Sequence, residues 1–552
     1  MNWSALIENA EAFRSRLVGV SVGLVFAVLA GRAAVVSLQA SDAPTGIAGV
    51  FEESVRRADI VDRHGELLAT SVDVYSLFAD PRAIWDAGDV AAALGDVFPD
   101  IDTDALTQRL SDRDRAFVWV RRGLTPRQRQ AVFDLGLEGL GFREESRRAY
   151  PRGPLAGHVL GFAGYDGNGL AGVEFALDYR LAKGGEPVAL TIDSGVQFVL
   201  ESELAASAAD HDVIGGAGVV LHAGTGEVIA MASWPPIDPN RAHTLSRDDP
   251  ARKDRAAQAV YELGSVFKPL TIAAGVEAGA VGPSDLFDTH EIMEIGGFAI
   301  EDDHPIAGQA TLADIIADSS NVGTVKVAMM LGERRQKDFF RRLGLFDRAP
   351  VELASSAAPL VPDDWSDLSL ATISYGHGIA VSPVAFASAF SALANGGELV
   401  RPTLVLDPSR ELKPRRVMSA PTAALVTAMM REAVTRGTGS RAAVAGYRVA
   451  GKTGTAEKPI EGGYDDSRNV TSFAALFPSD GPEYVVLITL DEPKAGETGG
   501  GDVGTAAAFN AAPTAGRVIE RIAPLLGMAP DFNAPAALSS PVNSVAERRT
   551  SL

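Results

Sequence analysis

The sequence has no cysteine in its 552 residues. That excludes disulfides, thiolate metal sites and a cysteine nucleophile, and leaves the compartment open. Basic residues are in the minority, with 50 Lys and Arg against 71 Asp and Glu, a formal charge of -21. Nucleic acid needs clustered cations to displace its counterions, so no nucleic-acid partner is expected. The 8 histidines are scattered without a His-x-x-x-His spacing. The acidic run Glu301-Asp302-Asp303-His304 reads as a solvated loop, and no metal site is expected. Gly499-Gly500-Gly501 is not followed by Gly-Lys-Ser/Thr, so it is no phosphate cradle and reads as a flexible loop bordering the active site. No internal repeat is found, and nothing calls for a cofactor.

What is present begins with Leu17 to Leu38, LVGVSVGLVFAVLAGRAAVVSL, interrupted once by Arg32. At about 1.5 Å per residue it covers roughly 30 Å of hydrocarbon, the length of a single membrane span. A cleaved signal peptide, with Leu17 to Ala30 as its apolar core, is the alternative; either way the remainder is exported. The flanking charges, Arg14 and Arg16 against Arg56 and Arg57, do not orient it.

The whole chain is 46% hydrophobic, enough for two cores. Between 50 and 185, strand signals on both sides of an Arg63-His64-Gly65 turn, a strand at Phe117 to Val120 and a helical TPRQRQAVFDL suggest a separate N-terminal module. Its scattered Asp and Arg residues read as surface or interdomain ion pairs. A second domain starts near VALTIDSGVQFVLESELAAS. The runs AGVVLHA and EVIAMAS around Gly224-Thr225-Gly226 predict a hairpin, and YRVAGKTGTA, VTSFAALFP and YVVLITLDE predict three more strands. Strands at both ends of the domain enclose a helical middle, which predicts an α+β architecture with an antiparallel sheet.

Three short motifs carry the chemistry. Ser265 and Lys268 stand three apart at the start of a helical pattern, with Pro269 in its first turn, so the amine can reach the hydroxyl. A serine needs such a base, and an amine serves only when desolvation or a neighbouring cation lowers its pKa. Ser319-Ser320-Asn321 interrupts a helical stretch; alone it would be a helix cap. Lys452-Thr453-Gly454-Thr455 lies in a strand pattern, where Gly454 would let a ligand backbone approach and Lys452 with the two threonine hydroxyls would bind a carboxylate. Each is weak alone; the order is that of serine β-lactamases and penicillin-binding proteins.

With YPRGPLAGHVLGFAGYDGNGLAGVEFALDYRL, ASWPPIDPN, SYGHGIAVSPVAFASAFSALANGG and VAGKTGTAEKP, the chain resembles the class B penicillin-binding proteins from about residue 17 to 527. DRHGELLATS, ISYGHGIAVSP and SFAALFP resemble the division-specific septal transpeptidases in particular. The resemblance implies a transpeptidase domain over 186–527, with a five-stranded antiparallel sheet and flanking helices. It also implies a strand-rich pedestal or dimerisation-like module over 50–185 and an anchor over 17–38 after a short cytoplasmic 1–16, while residues 528–552, rich in Ala, Pro, Ser and Asn, read as a disordered tail. It implies that Ser265 attacks the penultimate D-alanine carbonyl, that Lys268 takes the proton and that Ser319 relays one to the departing D-alanine. Asn321 would hold Lys268 and a substrate amide. Lys452, Thr453 and Thr455 would grip the terminal carboxylate, and the N–H groups of Ser265 and Thr455 would form an oxyanion hole. Lys452 would help keep Lys268 neutral.

Leu263, where the family commonly has proline, is a departure that affects only the turn. His377, between glycines, reads as a turn residue, with a place in the substrate cleft as the sharper alternative. The implied partners are peptidoglycan pentapeptide stems, β-lactams, a membrane glycan polymerase and other divisome proteins. The implied location is the inner membrane, single-pass, with the catalytic domain in the periplasm. A β-lactamase, a non-catalytic scaffold and an elongation transpeptidase are the competing readings. No motif supplies the lactamase's water base, and the intact motifs argue against a scaffold.

Overall fold

The computed structural model describes residues 56–532 apart from 461–462 and 498–501, together with Ala27. The expected anchor at 17–38 lies, but for Ala27, outside the described residues, as do residues 1–16, the 499–501 glycines and 533–552. Among the described residues no helix is long and apolar enough to cross a membrane.

The first sheet forms from the strand signals of the N-terminal module. Strand β1 (Ile60–Val61) turns back through 63–65 into the long β2 (Leu67–Ala79). That strand pairs antiparallel with β3 (Val118–Leu124) and with β4 (Leu140–Ala149), Thr70 facing Ala149 and Ala79 facing Leu140. Strand β5 (Val188–Ala189) adds in parallel to β1, so the first sheet takes a strand from beyond residue 185. Helices Ala87–Val97 and Thr103–Leu110 start where Asp86 and Asp102 accept hydrogen bonds from their first turns. They bury Leu94, Phe98 and Leu106 against Leu77, Ala79 and Val118. The expected helix after Leu124 spans Pro126–Asp134, closed at its start by reciprocal bonds between Thr125 and Gln128.

Of the module's arginines, Arg56, Arg82, Arg115 and Arg121 form ion pairs at or near the surface, but Arg57 and Arg148 are buried in pairs within the module, neither at the surface nor between domains. Arg57 reaches Glu174 at 2.8 Å and Asp178 at 2.7 Å, and Arg148 reaches the other Glu174 oxygen at 2.5 Å.

The second sheet contains the five predicted strands: β6 (Gly215–His222), β7 (Val228–Trp234), β8 (Ala450–Ile460), β9 (Gly463–Phe477) and β10 (Tyr484–Asp491). Their order is β8-β9-β10-β6-β7, antiparallel throughout. Strands β6, β7 and β10 and the second half of β9 are mostly apolar because both faces are covered there. Val219, Leu221, Val485 and Leu487 pack with Leu270, Phe386 and Met430 of helices Lys268–Glu277, Pro383–Ala394 and Ala420–Thr435. Their neighbours Val220, Val486 and Ile488 point the other way, against Leu200 and Leu204 of helix Ser194–Asp210 and Val518 and Ile519 of helix Ala511–Ile522. This period-two division between two cores makes the α+β architecture a three-layered one. Strand β8, which carries Lys452, is left at the edge of the sheet beside the Ser265 turn.

Residues 528–531, assigned to the tail from sequence, are held: Tyr447 donates its hydroxyl proton to Met528 O at 3.2 Å, and the Asp531 N–H bonds Gly446 O at 2.8 Å.

Candidate active site

Ser265 does not sit in the α-helix. Residues Gly264–Phe267 form one tighter 3-10 turn that runs into helix Lys268–Glu277, and the Lys268 N–H donates to Ser265 O. In such a turn side chains three apart eclipse, yet among the described residues Ser265 and Lys268 share no hydrogen bond, and the amine is bonded to Ser319 instead. Gly264 is required there, since its φ is +63° and a Cβ would lie 2.7 Å from Thr455 O. The nucleophile turn and the peptide of Thr455 are thus in contact.

Lys268 is fully buried, and Ser265 is half-buried above it. The Lys268 amine donates to the Ser319 carbonyl and lies 3.2 Å from the Ser319 hydroxyl. Ser319 reaches it from a kink between helices Leu312–Ala317 and Asn321–Leu331, with φ at +67°, a region few residues other than glycine occupy. Ser320, not Ser319, is the helix cap, accepting from the Gly323 N–H at 2.8 Å. Asp302 ties this helix start down: it accepts from the Ser320 hydroxyl at 2.5 Å, the Asn321 N–H at 2.5 Å and the Val322 N–H at 3.1 Å. The acidic run expected to be merely solvated therefore has one structural member. The Asn321 side chain donates to Glu301 O at 3.4 Å, and among the described residues it makes no hydrogen bond to Lys268. The expected Asn321–Lys268 bond is thus absent, because the helix start aims the amide at the 301 carbonyl.

On β8, Lys452 is fully buried, and its amine lies 3.1 Å from Thr453 O and 3.2 Å from Thr453 Oγ1. Thr438, in the loop after helix Ala420–Thr435, meets Thr453 hydroxyl to hydroxyl at 2.8 Å. It was not singled out from sequence, where it is only a threonine between glycines. Thr455 is exposed, its oxygen accepting from the Ala507 N–H at 3.1 Å and its proton free to be donated. The expectation for Gly454 needs correction. A Cβ there would fall 2.2 Å from Leu263 O, so the missing side chain admits the protein's own nucleophile turn rather than a ligand.

The electrostatics follow from burial. Loss of solvent brings Lys268 down to about 7, although Asp302 and Asp303 pull the other way. Lys452 also falls well below the usual lysine value, through burial first and the Lys268 charge second, with Asp318 opposing. The coupling therefore bears on Lys452; burial alone lowers Lys268. An arriving carboxylate would restore the Lys452 charge, since an opposite charge favours the protonated form. His377 drops to about 4, through burial first and Lys268 second, and its Nδ1 is buried without a partner. Its ring lies 5.3 Å from that of Tyr375 and 5.6 Å from that of Tyr464. Tyr464 in turn donates to Glu262 at 3.1 Å. The residue read as a turn thus also lies close enough to Lys268 to feel its charge. Among the described residues no group of three or more His, Asp or Glu side chains is placed to hold a metal ion.

Chemically, the arrangement offers a hydroxyl, an amine able to be neutral near pH 7, a second hydroxyl bonded to that amine, and an edge strand with a lysine and two threonines for an anion.

Known proteins share this build. The profile of the penicillin binding protein transpeptidase domain matches residues 216–512, and that of the penicillin-binding protein dimerisation domain matches residues 52–182. A probable peptidoglycan D,D-transpeptidase FtsI from Caulobacter vibrioides is 42% identical over 545 residues, covering 96% of this chain and 90% of that protein. The peptidoglycan D,D-transpeptidase FtsI of Escherichia coli K12 is 29% identical, over 87% of this chain and 86% of its own length. Penicillin binding protein 3 from Mycobacterium tuberculosis, solved with aztreonam, superposes with a TM-score of 0.66 at 26% identity, over 87% of this chain and 98% of that one. The same protein with ampicillin gives 0.68 at 27% identity, over 88% and 98%.

Proposed function

Because the chain belongs to the class B penicillin-binding proteins, which join a dimerisation domain to a transpeptidase domain, we propose that it is a peptidoglycan D,D-transpeptidase of the division-specific type, inhibited by β-lactams. The observation that carries the reading at residue level is the buried Lys268 amine, one tight turn from Ser265 and bonded to Ser319.

In this mechanism the neutral Lys268 takes the Ser265 proton as Oγ attacks the carbonyl of the penultimate D-alanine. The N–H groups of Ser265 and Thr455 stabilise the oxyanion, a role supported by the close approach of Gly264, the residue before Ser265, to the Thr455 peptide. Lys452, Thr453 and Thr455 hold the terminal carboxylate, which is bound while the peptide C–N bond breaks. Ser319 passes the proton from Lys268 to the departing D-alanine amine. An acceptor amine from a second stem peptide then attacks the Ser265 ester, the serine recovers its proton, and the cross-link is made. Asn321 contacts a substrate amide after leaving the Glu301 carbonyl.

Residues 17–38 anchor the chain in the inner membrane with the two domains in the periplasm, where a glycan polymerase and other divisome proteins are its partners. Depletion gives filamentous cells on this reading, and rounded ones if the enzyme serves elongation. A fluorescent penicillin labels the wild-type chain on Ser265 and leaves folded Ser265→Ala unlabelled; undiminished labelling of that variant would refute the assignment.

A further inference from the structure

Outside the site, a cavity of about 650 Å³ opens where β3, β4 and residues 162–170 meet the 239–252 segment that follows β7. Five arginines line it, Arg122, Arg147, Arg148, Arg247 and Arg252, against two carboxylates, Glu145 and Asp166. Both carboxylates serve one cation, since Arg122 bonds Glu145 at 2.8 Å and Asp166 at 3.0 Å. Arg148 draws on Glu174 beneath the sheet and keeps one guanidinium nitrogen, Nη2, buried without a partner. Arg252 donates to the backbone carbonyls of Ala242, Leu245 and Ser246 and, among the described residues, pairs with no carboxylate. Arg147 lies over the Tyr165 ring, and among the described residues neither it nor Arg247 forms an ion pair. On a chain with formal charge -21, three arginines left without carboxylates around one hollow are a local reversal of sign.

Guanidinium forks select planar carboxylates, and arginine and tyrosine are the residues that most often anchor a partner in a pocket. Leu170 of the lining is 57% exposed, and Phe175 and Tyr179, on the short helices that follow it in the chain, are 52% and 77% exposed, more apolar surface than one small anion would cover. We propose that this cavity docks an acidic, partly apolar peptide segment of a partner protein, its carboxylates held by Arg147, Arg247 and Arg252 and its apolar side chains by Tyr165 and Leu170. Because β4 supplies one wall and the segment after β7 the other, such a ligand links the pedestal to the catalytic sheet.

The test uses the full-length chain in nanodiscs and an eight-residue fluorescein-labelled peptide of alternating Glu and Leu, followed by anisotropy. Binding is saturable and weakens at least tenfold with Gln in place of Glu. It weakens by a similar factor in Arg247→Glu, an exposed position, and in Arg147→Glu. Each variant must melt with the wild type and still label with penicillin. Prior acylation of Ser265 leaves the affinity unchanged, which separates this cavity from the catalytic cleft. Equal affinity for the Gln peptide, or no effect of both reversals, overturns the proposal. So does displacement by a wall disaccharide-tripeptide at lower concentration than the unlabelled peptide itself, which would assign the cavity to peptidoglycan.

Discussion

Two places in this chain bury cations, and they are solved in opposite ways. Under the first sheet, Arg57 and Arg148 are held by Glu174 and Asp178, so each guanidinium has a carboxylate at hydrogen-bond distance. In the cleft, Lys268 and Lys452 are more deeply buried, and among the described residues neither forms an ion pair. Arginine cannot give up its proton in a protein and must bring an anion with it; lysine can shed the proton. The first arrangement is architecture. The second leaves an amine free to accept a proton, which is what a serine nucleophile lacks.

The sharpest way to break this contrast is to exchange the two solutions. Lys268→Arg keeps a positive group at the site but fixes the charge, so acylation by penicillin falls about 10³- to 10⁴-fold, as in Lys268→Ala. Stopped-flow acylation rates check this, and a Lys268→Arg enzyme within tenfold of wild type would mean that charge, not proton acceptance, is what the position supplies. The converse change, Glu174→Gln, leaves the buried Arg148 without an anion and Arg57 with Asp178 alone, and destabilises the fold by about 3–5 kcal/mol. Denaturant unfolding reads that loss, while the acylation rate of the protein that remains folded stays at the wild-type value. A smaller effect is expected at Thr438→Val, which removes the hydroxyl beside Thr453. Losing one hydrogen bond of about 1 kcal/mol slows acylation about fivefold without changing the melting temperature by more than a few degrees.

The contrast also explains what could be read from sequence. Ser265 with Lys268, Ser319 with Asn321, and Lys452 through Thr455 are each local, three or four residues on one turn, helix start or strand, so spacing marks them as motifs, whereas the partners they meet in the fold, Ser319 for the Lys268 amine and Glu301 O for the Asn321 amide, come from elsewhere along the chain. Of the second sheet, β6, β7 and β10 are legible as mostly apolar runs between turns, and β8 and β9 through the apolar parts of theirs. The buried arginine cluster was not: Arg57 and Glu174 lie 117 residues apart, and Arg148 and Glu174 lie 26 apart, so nothing local marks them as partners. Asp302 and Thr438 were missed for the same reason, since each acts on a motif from a distant loop. Gly454 was noticed as a place of close approach, but only the folded chain identifies the visitor as Leu263 O.

The central claim is that Lys268 works as a neutral base because it is buried without a carboxylate. Its folded value is lowered to about 7, so the reactive form predominates above that pH and is lost below it. The second-order rate of Ser265 acylation by penicillin, measured from pH 5 to 9, should level off above an inflection near 7 and fall about tenfold per unit on the acid side. A rate that stays flat across that range, or rises only toward pH 10 as for an ordinary lysine, would contradict the account.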